Sequence, residues 1–282
     1  MIYQTLINVD TLNAHLNTPN WVVVDCRFSL ADTEAGYRAY RDGHIPGARY
    51  AHLDNDLSGP ITPLTGRHPL PDPTPLTDAL GRWEIGDETQ VVAYDDMGGM
   101  LAAARLWWLL RWLGHQAVAV LDGGFSAWRR AGLPLSTGEP TVQTVVFNGR
   151  PNQQLWLTTE QMENLSSEAL LLDGRAAARY RGEVEPIDPV AGHIPGAINA
   201  PIEENLTAEG YFRPLSELQA RFSKVLSGHP PTAVVHSCGS GVTACHNLLA
   251  MEAAGFPGSR LYAGSWSEWI RDPNRPIATE TV

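Results

Sequence analysis

The chain has 282 residues, 43% hydrophobic and 18% charged, with a net charge of -11; that excludes a disordered chain and fits one large or two ordinary domains. The acidic balance argues against nucleic acid or an anionic membrane surface as the main partner, and no apolar run approaches the roughly 18 residues of a membrane span. Three cysteines do not make a disulfide framework, and the opening MIYQTLINVD lacks a signal-peptide pattern, so the expectation is a cytoplasmic protein with reduced thiols.

In chain order, residues 22–25, 90–94 and 117–121 read as strands, with a helix over 101–113 ended by Gly114. The second half repeats the pattern: strands over 170–173, 232–237 and 260–262, and a helix over 243–254 ended by Gly255. Both glycines stand where a left-handed cap favours that residue. The strand runs are apolar on both faces, as parallel strands covered by helices on two sides require. The similarity between halves is also literal. VVVDCR (22–27) resembles LLLDGR (170–175), GHIPGA occurs at 43–48 and 192–197, and LDGGFSAW (121–128) parallels YAGSWSEW (262–269). A period this long indicates two homologous domains. The expected division is a first domain over 1–137, a linker over 138–153 and a second domain over 154–282.

The second-half strand ends at Cys238, and the loop Cys238-Gly239-Ser240-Gly241-Val242-Thr243 leads from it into a helix. In parallel α/β sheets, ligands bind at the carboxyl ends of strands. A thiol attacks as the thiolate, which the positive end of a helix and a nest of loop amides both favour. Gly239 and Gly241 are expected to let the loop curl into such a nest, with the sulfur, or a persulfide, in a ring of N–H donors. The plain alternative for Cys238 is an inert buried thiol, the usual fate of free Cys; the strand–glycine loop–helix setting favours the nucleophile. Cys245 lies inside the helix beside Ala244, Leu248 and Leu249, and reads as packing, and Cys26 reads as structural.

Other chemistries fit the loop less well. A phosphate-binding loop needs Gly-Lys-Ser/Thr, and GSGVTA has no Lys. A cysteine phosphatase needs an Arg after five intervening residues to clamp phosphate, and that position is Ala244. Cys238, Cys245 and His246 lack the paired spacing of a zinc site, and no metal or organic cofactor is implied.

The duplicated α/β halves, the twin GHIPGA motifs and one six-residue loop headed by Cys resemble the tandem-domain rhodanese family of sulfurtransferases, and CGSGVTA looks like the loop of its 3-mercaptopyruvate sulfurtransferase branch. The resemblance implies two tandem rhodanese-like domains, each a five-stranded parallel sheet flanked by helices, of which only the second is catalytic. In the first, Asp96-Met97-Gly98-Gly99 is expected opposite Cys238-Gly239-Ser240-Gly241. Cys238 would take sulfane sulfur from a small donor, release pyruvate and hold the sulfur as a persulfide. A thiol acceptor such as thioredoxin or glutathione, or cyanide, would collect it. Thiosulfate as main donor and a non-catalytic persulfide carrier or redox module are the competing readings.

The resemblance also implies roles for single residues. Arg179 in AARYRG matches the family's substrate-binding Arg, which would pair with the donor carboxylate; the plain alternative is a solvated helix-face cation. Gly239, Gly241, Val242 and Thr243 would complete the donor site. His68 in GRHPLP and Asp54 in YAHLDND match the first-half His and Asp that would work with Ser240 to move a proton toward the leaving enolate; otherwise they are turn or capping residues. His44 and His193 recur in both halves and read as structural, as do the pairs Asp25/Arg27 and Asp173/Arg175, expected as buried ion pairs. One departure stands out. The family branch carries a second Arg before GHIPGA, and here Asp188 falls near that place. Arg181 or Arg67 would have to substitute, or the donor is not mercaptopyruvate.

Overall fold

A computed structural model describes residues 2–279. The first sheet is built from β1 (Leu6–Ile7), β2 (Trp21–Asp25), β3 (Arg49–Tyr50), β4 (Gln90–Tyr94) and β5 (Val118–Leu121). Its helices are α1 (Val9–His15), α2 (Ala35–Asp42), α3 (Pro73–Arg82), α4 (Ala102–Trp112) and α5 (Gly124–Arg130). The second sheet comprises β6 (Trp156–Leu157), β7 (Leu170–Asp173), β8 (Ile198–Asn199), β9 (Val234–Ser237) and β10 (Arg260–Tyr262). With it run α6 (Thr159–Glu163), α7 (Ala177–Tyr180), α8 (Leu215–Leu226), α9 (Ala244–Ala253) and α10 (Ser265–Trp269).

Both sheets are parallel and share one topology, β1-β5-β4-β2-β3 and β6-β10-β9-β7-β8. Strands β4, β5, β7 and β9 are buried along their whole length, which is why they read as unbroken apolar runs. The two-residue strands at the sheet edges, and β3 and β8 above all, offer no such run.

Two compact units emerge, and neither is continuous in sequence. The first comprises Met1–Gly59, Leu70–Asn152 and Thr207–Phe212; the second comprises Pro60–Pro69, Gln153–Leu206 and Arg213–Val282. Most of the tract over 138–153 runs with the first unit, where Val145 N–H donates to Gly81 O at 3.0 Å and Asn152 N–H to Trp112 O at 2.8 Å. The segment carrying Arg67 and His68 belongs to the second unit. It is tied to α10 there by bonds from Gly66 N–H to Glu268 (3.2 Å) and from Arg67 N–H to Ser267 Oγ (3.0 Å).

The repeated motifs form the same scaffold twice. Arg27 grips Asp25 at 2.6 Å and donates to Gly43 O at 2.8 Å, while Arg175 grips Asp173 at 2.7 Å and donates to Gly192 O at 2.7 Å. All four charged side chains are buried, so each pair ties the end of a central strand to the GHIPGA turn, and breaking one partner would strand a buried charge. His44 stacks on Tyr40 with ring centroids 4.1 Å apart and bonds Tyr40 O, and His193 does the same with Tyr180 at 3.8 Å. Both His residues are therefore mortar for the turn, as their recurrence suggested.

Candidate active site

Cys238 follows the last residue of β9 and is 1% exposed. Its main-chain N–H donates to Ser265 Oγ at 3.0 Å, and its carbonyl accepts from Trp266 N–H at 3.0 Å. The loop is thus stitched to the first turn of α10. Ser265 bears a left-handed backbone, φ +51°, to present that hydroxyl, which also donates to Tyr262 O at 2.9 Å.

Gly241 N–H donates to the Cys238 sulfur at 3.2 Å. Gly241 has φ +76°, and a Cβ there would lie 2.2 Å from Ala263 O, so only glycine lets this amide reach the thiol. Gly239 departs from the expected nest. It does not take the left-handed region, and among the described residues a single amide, not a ring of them, donates to the sulfur. Its lack of a side chain serves space instead: a Cβ would lie 3.2 Å from Arg67 Nη2 and 3.7 Å from both terminal nitrogens of Arg179. Val242 is buried, and Thr243 leads into α9 without capping it through its side chain. Cys245 is buried and donates its S–H to Gly241 O, and Cys26 is buried with its thiol pushed up by burial and by Asp25.

Ser240 and His68 meet, Nδ1 to Oγ at 2.7 Å, and both are buried. Arg179 Nη2 bonds Glu185 at 2.7 Å and Asp188 at 3.2 Å. Arg67 Nη1 bonds the other oxygen of Asp188 at 2.5 Å. Burial pushes the Glu185 carboxyl up, but the Arg179 hydrogen bond and the amides of Asp188 and Ile187 outweigh it and hold it below its ordinary value. Asp188 is thus a buried bridge between two guanidiniums beside Gly239. Of the two stand-ins for the missing Arg, Arg67 is at the loop, and Arg181 pairs with exposed Glu183. Asp54 lies in the first unit, in the turn after β3, where its N–H donates to His52 Nδ1 and burial pushes its carboxyl up.

Sequence reasoning missed Glu185 and Ser265. An interruption in the repeat marks Ser265, because it stands where the first half has Gly124, φ +55°, in the corresponding turn. Glu185 sits in an acidic run with no such mark.

The strand registers correct the expected loop alignment. Asp25 pairs with Tyr94 in the first sheet and Asp173 with Ser237 in the second; Phe125 N–H bonds Asp95 O where Trp266 N–H bonds Cys238 O. Asp95, not Asp96, therefore occupies the position of Cys238. The first loop is one residue longer between strand and helix, so matching its glycines displaced the alignment by one. Its Asp95 carboxylate collects four amides: Met97 and Gly99 on one oxygen at 2.9 and 2.8 Å, Leu101 and Ala103 on the other at 3.1 and 3.3 Å. The same place in the duplicated scaffold is an anion cradle, filled in one unit by a carboxylate and headed in the other by a thiol.

The Rhodanese-like domain model matches twice, over residues 8–131 and 158–272. The chain belongs to the rhodanese family. It is 52% identical over 97% of its length, and 98% of the relative's, to the "Probable 3-mercaptopyruvate sulfurtransferase" of Pseudomonas aeruginosa. It is 34% identical over 96% of its length, and 93% of the relative's, to the thiosulfate sulfurtransferase of Rattus norvegicus. Among solved structures, the 3-mercaptopyruvate sulfotransferase SseA of Escherichia coli superposes with a TM-score of 0.81 at 32% identity, covering 94% of this chain and all of that one. The likeness read from the Cys-headed loop and the twin turns of this rhodanese chain is borne out, as are the two five-stranded parallel sheets flanked by helices.

Proposed function

We propose that this rhodanese-family chain is a sulfurtransferase that moves sulfane sulfur from 3-mercaptopyruvate through a Cys238 persulfide to a thiol or cyanide acceptor. The observation that carries this reading is the Cys238 sulfur at the end of β9, bonded by the Gly241 amide at 3.2 Å, with Ser240, two positions on in the same loop, hydrogen-bonded to His68. The names of the relatives support the same donor, with thiosulfate as the sibling substrate.

In the first half-reaction the Cys238 thiolate attacks the donor sulfur. The new S–S bond forms as the C–S bond breaks, and the electron pair of that bond passes to carbon as the pyruvate enolate. Ser240, hydrogen-bonded to His68, would deliver the proton that turns enolate into pyruvate. The donor thiol supplies that proton in the overall balance, leaving a persulfide anion on the enzyme. The four amides around Asp95 support the idea that this loop type holds an extended anion: a persulfide reaches one atom farther than a thiol. Arg179 would pair with the donor carboxylate, while Val242 and Thr243 line the loop. In the second half-reaction an acceptor (cyanide, glutathione or a thioredoxin-type dithiol) attacks the outer sulfur and frees Cys238. The reading takes 1–137 as the inactive partner domain and 154–282 as the catalytic one. Among the described residues no helix is long and apolar enough to cross a membrane; a cytoplasmic location is part of the proposal.

Incubation with mercaptopyruvate should add about 32 Da, one sulfur atom, to the protein, removable by reductant. Equal pyruvate release by wild type and Cys238→Ser would overturn the reading.

A further inference from the structure

Two open corners converge beside Gly239. Arg67 uses Nη1 for Asp188, and Arg179 uses Nε and Nη2 for Glu185 and Asp188. Arg67 Nη2 and Arg179 Nη1 have no hydrogen-bond partner among the described residues, and both approach the spot a Gly239 side chain would fill, at 3.2 and 3.7 Å. Arg67 Nε is also buried without a partner. Unspent N–H donors on two guanidiniums, aimed at one place next to the nucleophile, make a two-pronged anion site. The separation of the prongs is set by Asp188, which is 7% exposed and gives one oxygen to each arginine.

Charge then decides what fits. The connected cluster contains three guanidiniums, Arg67, Arg175 and Arg179, and three carboxylates, Asp173, Glu185 and Asp188. It is neutral when empty. A donor with one carboxylate meets the open N–H corners at little electrostatic cost, whereas a compact dianion such as thiosulfate is set against Asp188 and Glu185 as well.

We propose that Arg67 is the second donor-binding guanidinium, and that Asp188 is a specificity residue that spaces it from Arg179 and restricts the site to singly charged carboxylate donors. This rests on the sulfurtransferase reading of the same site. It also accounts for the acidic residue near the place where the family branch carries a second Arg: the second prong comes from the segment over 60–69 instead.

The test is steady-state kinetics of the full chain with mercaptopyruvate and with thiosulfate at saturating cyanide, for wild type, Arg67→Ala, Arg67→Lys, Asp188→Asn and Asp188→Glu. Arg67→Ala should raise the mercaptopyruvate KM at least fivefold while kcat stays within threefold, and Arg67→Lys should recover part of that loss. Asp188→Asn should raise the thiosulfate-to-mercaptopyruvate ratio of kcat/KM at least fivefold, and Asp188→Glu should return it toward wild type. A smaller change in either readout, or an Arg67→Ala defect confined to kcat, overturns the inference. If wild type itself gains no sulfur from mercaptopyruvate, the sulfurtransferase reading fails instead; if it loads normally and the variants keep its donor ratio, this inference alone fails.

Discussion

His68 Nδ1 and Ser240 Oγ stand 2.7 Å apart although 172 positions separate them in the chain. A hydroxyl so placed matters only where a leaving group needs a proton. Mercaptopyruvate leaves a carbanion-like enolate, whereas thiosulfate leaves sulfite, a stable anion. Ser240→Ala should therefore lower kcat with mercaptopyruvate by about a hundredfold, the usual scale of general acid–base assistance, and leave thiosulfate turnover within a few-fold. Parallel losses with both donors would assign Ser240 to loop structure rather than proton transfer.

Two glycines two residues apart should respond differently to one added methyl. At Gly241 the left-handed backbone and the 2.2 Å approach to Ala263 O forbid a Cβ. Gly241→Ala should cost about 1–3 kcal/mol of stability and slow alkylation of Cys238 by iodoacetamide. At Gly239 the obstacle is the tip of a flexible side chain, Arg67 Nη2. Gly239→Ala should leave the urea midpoint nearly unchanged and raise the donor KM.

The strained Ser265 can be dissected by two substitutions. Ser265→Ala keeps the φ of +51° and removes the hydroxyl that links Cys238 N–H to Tyr262 O. Ser265→Gly removes the same hydroxyl and relieves the backbone. The glycine variant should be the more stable of the two by about 1 kcal/mol, with kcat reduced in both. Equal urea midpoints would mean the turn carries no strain.

Asp95 should give the fold a pH signature. Burial pushes its carboxyl up to about 6 against the pull of the loop amides. Because the folded value lies above the unfolded one, about 3.9, the contribution is complete below pH 4 and is lost as pH rises through 6. The stability of wild type relative to Asp95→Asn, followed by urea unfolding, should therefore fall between pH 4.5 and 7.5 by about 1–3 kcal/mol. A difference independent of pH would place the Asp95 titration at its ordinary value.

The central strands and the helices after the two loops were legible because burial on both faces leaves an unbroken apolar run, and the twin motifs exposed the duplication. The place of Cys238 at the end of a strand was legible because the apolar run stops there. What escaped was set by chain geometry. One extra residue in the first loop moved Asp95 to the thiol position, a shift that only strand register reveals. Arg67 joins the second unit through contacts with α10, and nothing in GRHPLP announces that partner. Ser265 and Glu185 act through hydrogen bonds whose partners lie on other elements, beyond the reach of local pattern.

The carboxylate of Asp95 also sets the terms for placing a thiol in the first unit. A cysteine placed at 96 would head no cradle, and one placed at 95 would have to accept amides spread for two oxygens rather than one sulfur. The first-unit cradle is already occupied, and any attempt to seat a thiol in it must first evict its built-in guest.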